Sequence, residues 1–205
     1  MASNNYIYKM SNAGGMSTIT RYTDMLAGNT TWNPWSPAGA YESIATINFP
    51  SAAAGFDFQN IPQTYQHLEI RFMAYSTLSA SVDNLALYAN NDTSNVYSTH
   101  SLFGNGSTTT SNAFTTQPRI YLPSLLSANT TAQYTVGVIQ ILDYTSTSKF
   151  KTTRTLHGYD ANGSGIVGLS SGLFQSTNAI TRFSGGTSAN IAAGSQFALY
   201  GIRGN

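Results

Sequence analysis

The chain has 205 residues, 41% hydrophobic and 12% aromatic, which is enough apolar surface for one sandwich-sized domain with a real core. Only 8% of residues are charged and the net charge is +1, against roughly 25% charged in an average soluble domain. Lys and Arg are scattered singly, which excludes the clustered cations that a nucleic-acid partner requires, and the absence of cysteine excludes disulfides, thiolate metal sites and Cys nucleophiles.

The start, Met1-Ala2-Ser3-Asn4-Asn5-Tyr6, has neither a cationic nor an apolar leader region, so no signal peptide is expected. No run approaches the roughly 18 apolar residues of a membrane helix, so no membrane partner is expected. Residues 1–40 read as an N-terminal anchoring arm. Ser11-Asn12-Ala13-Gly14-Gly15 has a hinge composition, and Thr31 to Gly39 is aromatic and broken by Pro34 and Pro37. A turn or two of helix is expected over Thr20–Leu26. Tyr6, Tyr8, Trp32 and Trp35 are large apolar groups on a segment without a core of its own. They either fold back on the domain or bury against another chain, because aromatic anchors carry most interface energy.

Residues 41–205 read as β throughout. Strands are expected at Tyr41–Phe49, His67–Tyr75, Asn84–Tyr88, Tyr97–Phe103, Arg119–Leu122, Tyr134–Leu142, Lys149–His157, Ile166–Phe174, Ile180–Ser184 and Gln196–Ile202. In His67–Tyr75, Leu68, Ile70, Phe72 and Ala74 alternate with Glu69, Arg71 and Met73, the period of a half-buried strand. The strand from Tyr134 carries Val136 and Val138 on one face and Ile139 and Ile141 on the other, so it is expected at the centre of its sheet. Ser107–Asn112 reads as a surface loop, as do Gly104–Ser107, Asp160–Gly165 and Ser184–Thr187. Many short strands with Gly/Asn turns and no amphipathic helix predict an all-β, jelly-roll-like antiparallel sandwich on an extended arm.

Candidate chemistry is sparse. Gly168-Leu169-Ser170-Ser171-Gly172 matches the G-x-S-x-G nucleophile pattern, but no Asp or Glu follows Asp160 and no His follows His157. No catalytic residue and no cofactor is therefore expected. Asp160, Asn162 and Ser164, with Gly165 behind them, resemble half of a calcium loop, yet position twelve is Ser171 where a bidentate Glu is needed. The alternative is a hairpin turn whose Asp caps its own backbone. His67, His100 and His157 have no metal-ligand spacing. Glu69 with Arg71, and Asp143 with Lys149, read as exposed or loop ion pairs. Tyr75, Tyr88, Tyr97, Tyr144 and Tyr159 are expected at strand ends or in loops, as sugar platforms or, preferably, as self-association residues.

Several segments carry a family resemblance: Tyr41-Glu42-Ser43-Ile44-Ala45-Thr46, Ile61-Pro62-Gln63-Thr64-Tyr65-Gln66-His67-Leu68, Ile141-Leu142-Asp143-Tyr144, Gly158-Tyr159-Asp160-Ala161-Asn162-Gly163-Ser164-Gly165 and Phe197-Ala198-Leu199-Tyr200-Gly201-Ile202. Together they resemble small structural proteins of tailed bacteriophages that infect cyanobacteria and other aquatic bacteria. The resemblance implies a virion surface protein made in the host cytoplasm and lacking catalytic residues. The lack of a long fibrous shaft favours a capsid decoration or cement subunit, held to major capsid or tail proteins by residues 1–40, and the low charge and the excess of tyrosine lead to the expectation of a homotrimer. The alternatives are a tail-fibre subunit that offers loops 104–112 and 160–165 to host surface polysaccharide, and a free carbohydrate-binding module.

Overall fold

The computed structural model describes residues 6–9, 18–21, 41–128 and 133–204. The chain divides into two units, Met1–Gly39 and Ala40–Asn205. In the first, β1 (Tyr6–Lys9) and β2 (Thr18–Arg21) form an antiparallel ribbon that pairs Tyr6 with Arg21 and Tyr8 with Ile19. The expected helical turn is corrected at its start: Thr20 and Arg21 belong to β2, where β-branched Thr18, Ile19 and Thr20 favour extended backbone. Residues 22–26, Trp32 and Trp35 lie outside the described residues.

In the second unit the described residues form strands and no helix. Its strands are β3 (Tyr41–Asn48), β4 (Ala53–Phe58), β5 (His67–Ala74), β6 (Val82–Ala89), β7 (Tyr97–Gly104), β8 (Thr109–Gln117), β9 (Ile120–Ser127), β10 (Thr135–Ile141), β11 (Lys151–Asp160), β12 (Gly165–Phe174), β13 (Phe183–Ile191) and β14 (Gln196–Ile202). They form an eight-stranded sheet of order β3-β14-β5-β10-β11-β12-β7-β8 and a four-stranded sheet of order β4-β13-β6-β9. All pairings within these sheets are antiparallel.

The order identifies a jelly roll. From β3 to β6 the chain alternates between sheets, and β9, β10, β13 and β14 complete β3-β14-β5-β10 facing β4-β13-β6-β9. Two hairpins are inserted, β7–β8 and β11–β12. Both join the large sheet beyond β10 and double its width. The core between the sheets is aromatic. Phe197 is fully buried and stacks on Phe56 and Phe72, with centroids 4.4 and 5.4 Å away, while Phe49 meets it edge-on at 6.0 Å.

Three expectations are corrected. Thr109–Gln117 is an edge strand, although its first residues read as a loop, because Thr109, Thr110 and Ser111 are exposed and carry no apolar group to betray the strand. Ser184–Thr187 lies inside β13, paired with β4 and β6. The glycines there reflect close strand approach, since a Cβ on Gly55 of β4 would lie 2.2 Å from the Gly185 carbonyl oxygen. Finally, β4 went unread behind Ala53, Ala54 and Gly55, although Phe56 and Phe58 fill its inner face.

Candidate functional site: the outer face of the large sheet

The inserted hairpins break the usual inside-out pattern of an antiparallel sheet. Facing the core, β11 presents Thr153, Thr155 and His157, β12 presents Gly168, Ser170 and Gly172, and β7 presents Thr99 and Ser101. These residues are small or polar, and they let β9 lie close: a Cβ on Gly172 would meet Ile120 at 2.6 Å. The opposite face carries the large apolar groups. Leu102, Leu156, Leu169 and Val167 are 48%, 49%, 50% and 63% exposed.

Strand register brings these groups together. Leu102 of β7 opposes Leu169 of β12, which opposes Leu156 of β11, which opposes Val138 of β10. One pleat away, Val167 pairs with Gly158, Gly158 with Val136, and Val136 with Met73 of β5. Val136 and Met73 are exposed too. Five adjacent strands at about 4.8 Å spacing make a patch about 20 Å wide. That is the scale at which an apolar surface marks an interaction site. Towards β8 the face is concave, a groove of about 640 Å³ lined by Leu102, Leu169, Ala113, His100, Ser111 and Arg154.

A polar strip borders the patch. Arg154 donates to Gln140 Oε1 (Nε at 3.0 Å), and Gln140 Nε2 donates to Glu69 Oε2 at 3.0 Å. Glu69 Oε1 accepts from Arg71 Nε at 2.9 Å, and the Arg71 guanidinium lies 5.1 Å from the Tyr41 ring and 5.2 Å from that of Tyr200. Glu69 holds the Arg71 pKa above its ordinary value. The expectation of an exposed Glu69–Arg71 pair is therefore corrected on one side, because Glu69 is only 3% exposed.

The other sequence candidates do not converge. Asp160 Oδ1 accepts the Asn162 amide at 2.7 Å, and Ala161 N donates to the Ser164 carbonyl at 2.6 Å. Asn162 and Gly163 both have positive φ, 55° and 106°, so this is a tight Asn-Gly hairpin turn. The Asp caps its own backbone, as the alternative to a calcium loop requires. Among the described residues, no three His, Asp or Glu side chains lie close enough to hold a metal ion. His67 Nδ1 accepts from the Asp143 amide at 2.9 Å, His100 lines the groove, and His157 is buried between the sheets. Desolvation by burial lowers the His157 pKa to about 4.

Ser170 of the G-x-S-x-G segment lies mid-strand and buried, paired with Thr155 and Ser101 rather than at a strand-to-helix turn. Two surface tyrosines are corrected to core residues: Tyr97 and Tyr144 are fully buried. The Tyr97 hydroxyl donates to the Asp92 carbonyl at 2.9 Å and accepts from the Ala89 amide at 3.2 Å, and burial pushes its pKa up to about 12. Tyr144 donates to the Pro62 carbonyl. Tyr75, Tyr88 and Tyr159 are half-buried.

Sequence reasoning missed the patch itself. Its signal was present in β10, where apolar residues occupy both faces; this strand is indeed central, fourth in the large sheet, yet only its Ile139–Ile141 face is buried. No family model, no curated protein and no solved structure matches the chain.

Proposed function

We propose that the protein is a non-enzymatic virion surface subunit of a tailed bacteriophage, a homotrimeric decoration or cement protein that associates with its copies through the outer face of the large sheet. The observation that carries this reading is the inverted polarity of β7, β11 and β12. A sheet that buries threonine and serine while exposing leucine and valine is stable in water only at a cost, and a covering partner removes that cost. A second copy suits the face, because it is uncharged at its centre and polar at its rim, as homomeric interfaces are. Closed symmetry also covers sheet edges such as β8, a nine-residue strand without a single charge. In this reading, residues 1–40, with Tyr6, Tyr8, Trp32 and Trp35, clip the subunit to capsid or tail proteins.

A second reading, a tail-fibre subunit that contacts host polysaccharide, rests on one feature. The Gly104–Gly106 turn, Tyr159, Asp160 and Gly163–Val167 surround a cleft of about 280 Å³ at one end of the sheet, where two loops of the chain meet. Gold-labelled antibody on phage particles separates the readings. Label spread over the head, lost when residues 1–40 are deleted, supports the decoration subunit. Label on the tail alone supports the fibre, and particles without label overturn both.

A further inference from the structure

The outer face of the small sheet holds a second site of different chemistry. Gly186 of β13 and Ala86 of β6 form a low floor beside Tyr121 of β9, and the adjacent row rises through Tyr88 and Arg119. Asn84 and Ser188 close the other side, leaving a cleft of about 230 Å³, room for one sugar ring.

Its nitrogen-bearing side chains, Arg119 and Asn84, offer donors, beside the hydroxyls of Tyr88, Thr187 and Ser188. Arg119 makes no hydrogen bond or ion pair among the described residues, and its guanidinium is braced over the Tyr121 ring at 5.5 Å. Tyr121 is braced in turn by Phe114, edge-on at 5.0 Å. Asn84 Oδ1 accepts the Ser124 amide at 3.0 Å, which fixes the side-chain orientation and leaves the Nδ2 protons without a partner among the described residues. No carboxylate lines the cleft. On the same face, Asp57 is already spent on Arg182, accepting from Nε at 2.8 Å and from Nη2 at 2.7 Å. The inward-facing Asp83 is spent on Ser76 and the backbone.

A preorganised cation, an oriented amide donor and a half-exposed tyrosine ring match a ligand with a carboxylate beside an apolar ring face. We propose that this cleft binds an acidic sugar residue of a polysaccharide, with Arg119 and Asn84 on the carboxylate and Tyr88 against the pyranose ring. The site lies on the other sheet from the association face, so it stands or falls independently of the trimer.

The test is calorimetric titration of the full chain with tetragalacturonate and with its methyl ester. The acid is expected to bind, and the ester at least about tenfold more weakly, the loss typical of one charge-assisted hydrogen bond. Arg119→Gln is expected to weaken the acid about tenfold or more, Tyr88→Ala to weaken both ligands, and Lys149→Gln, at an exposed lysine whose Nζ donates to Asp143, to change neither. Absence of binding to tetragalacturonate at millimolar concentration, equal binding of acid and ester, or full affinity in Arg119→Gln would each overturn the assignment.

Discussion

Arg71 Nε–H donates to Glu69 Oε1 across 2.9 Å, and the two side chains differ sharply in exposure, 57% for the arginine and 4% for the glutamate. The arginine acts as a lid. It covers a carboxylate held in the sheet and is itself clamped between the rings of Tyr41 and Tyr200. Arg71→Leu leaves Glu69 buried with only Gln140 and Tyr41 as donors, and a buried charge stripped of its counter-charge is destabilising. The urea midpoint of Arg71→Leu is expected to fall, and Glu69→Gln added to it is expected to recover most of the loss. An unchanged midpoint in Arg71→Leu would show that the pair contributes nothing to the fold.

His157 makes the fold sensitive to mild acid. Neither ring nitrogen has a hydrogen-bond partner, and a Cβ on Gly168 would lie 2.5 Å from its Cε1, so the ring fills its space completely. Its folded pKa of about 4 lies below the ordinary 6.5. Because the folded value is depressed, the stability linked to this group is present above pH 6.5 and lost as pH falls towards 4. The full difference is on the order of 3 kcal/mol. Asp57, Asp83 and Asp143 also have lowered values, so their contributions are lost at lower pH, below 3.8. Thermal unfolding from pH 7 to pH 4.5 is expected to show Tm falling in the wild type and falling less in His157→Leu. Parallel curves would contradict this account.

Lys151 is fully buried on the inner face of β11, its Nζ donating to the Ser176 carbonyl at 3.3 Å. Desolvation holds its pKa below the ordinary lysine value. Since the folded value is the lower one, the cost of the charge is greatest at neutral pH and disappears as pH rises past 10.5. Lys151→Met keeps the stem and removes the charge, so its Tm at pH 7 is expected to equal or exceed that of the wild type, with the difference closing near pH 11. A clearly lower Tm at pH 7 would mean that the bond to Ser176 outweighs desolvation.

Much of the fold is legible in the sequence, and the illegible parts have physical reasons. Leu68, Ile70, Phe72 and Ala74 alternate cleanly because β5 lies over the aromatic core. β4 and the part of β13 from Gly185 onward hide because strands in close contact require glycine, which ordinarily signals a turn. β8 hides because Thr109 to Asn112 are polar, and its first apolar side chains are Ala113 and Phe114. The candidate site was legible only as an anomaly in β10, and its meaning depends on register. Leu102, Leu156 and Leu169 are far apart in the chain, and only the pairing of β7, β12 and β11 sets them in one row. In the small-sheet cleft, likewise, Asn84, Arg119 and Ser188 come from separate strands and connections, so no motif announces them.

The association face is tested most directly by sedimentation velocity of the full chain at micromolar concentration, alongside the double variant Leu156→Lys, Leu169→Lys. These leucines are about half exposed and point away from the core, so the variant is expected to keep the wild-type circular dichroism spectrum. A trimeric wild type and a monomeric variant is the predicted result. A monomeric wild type, or a variant that retains the wild-type mass, would contradict the account.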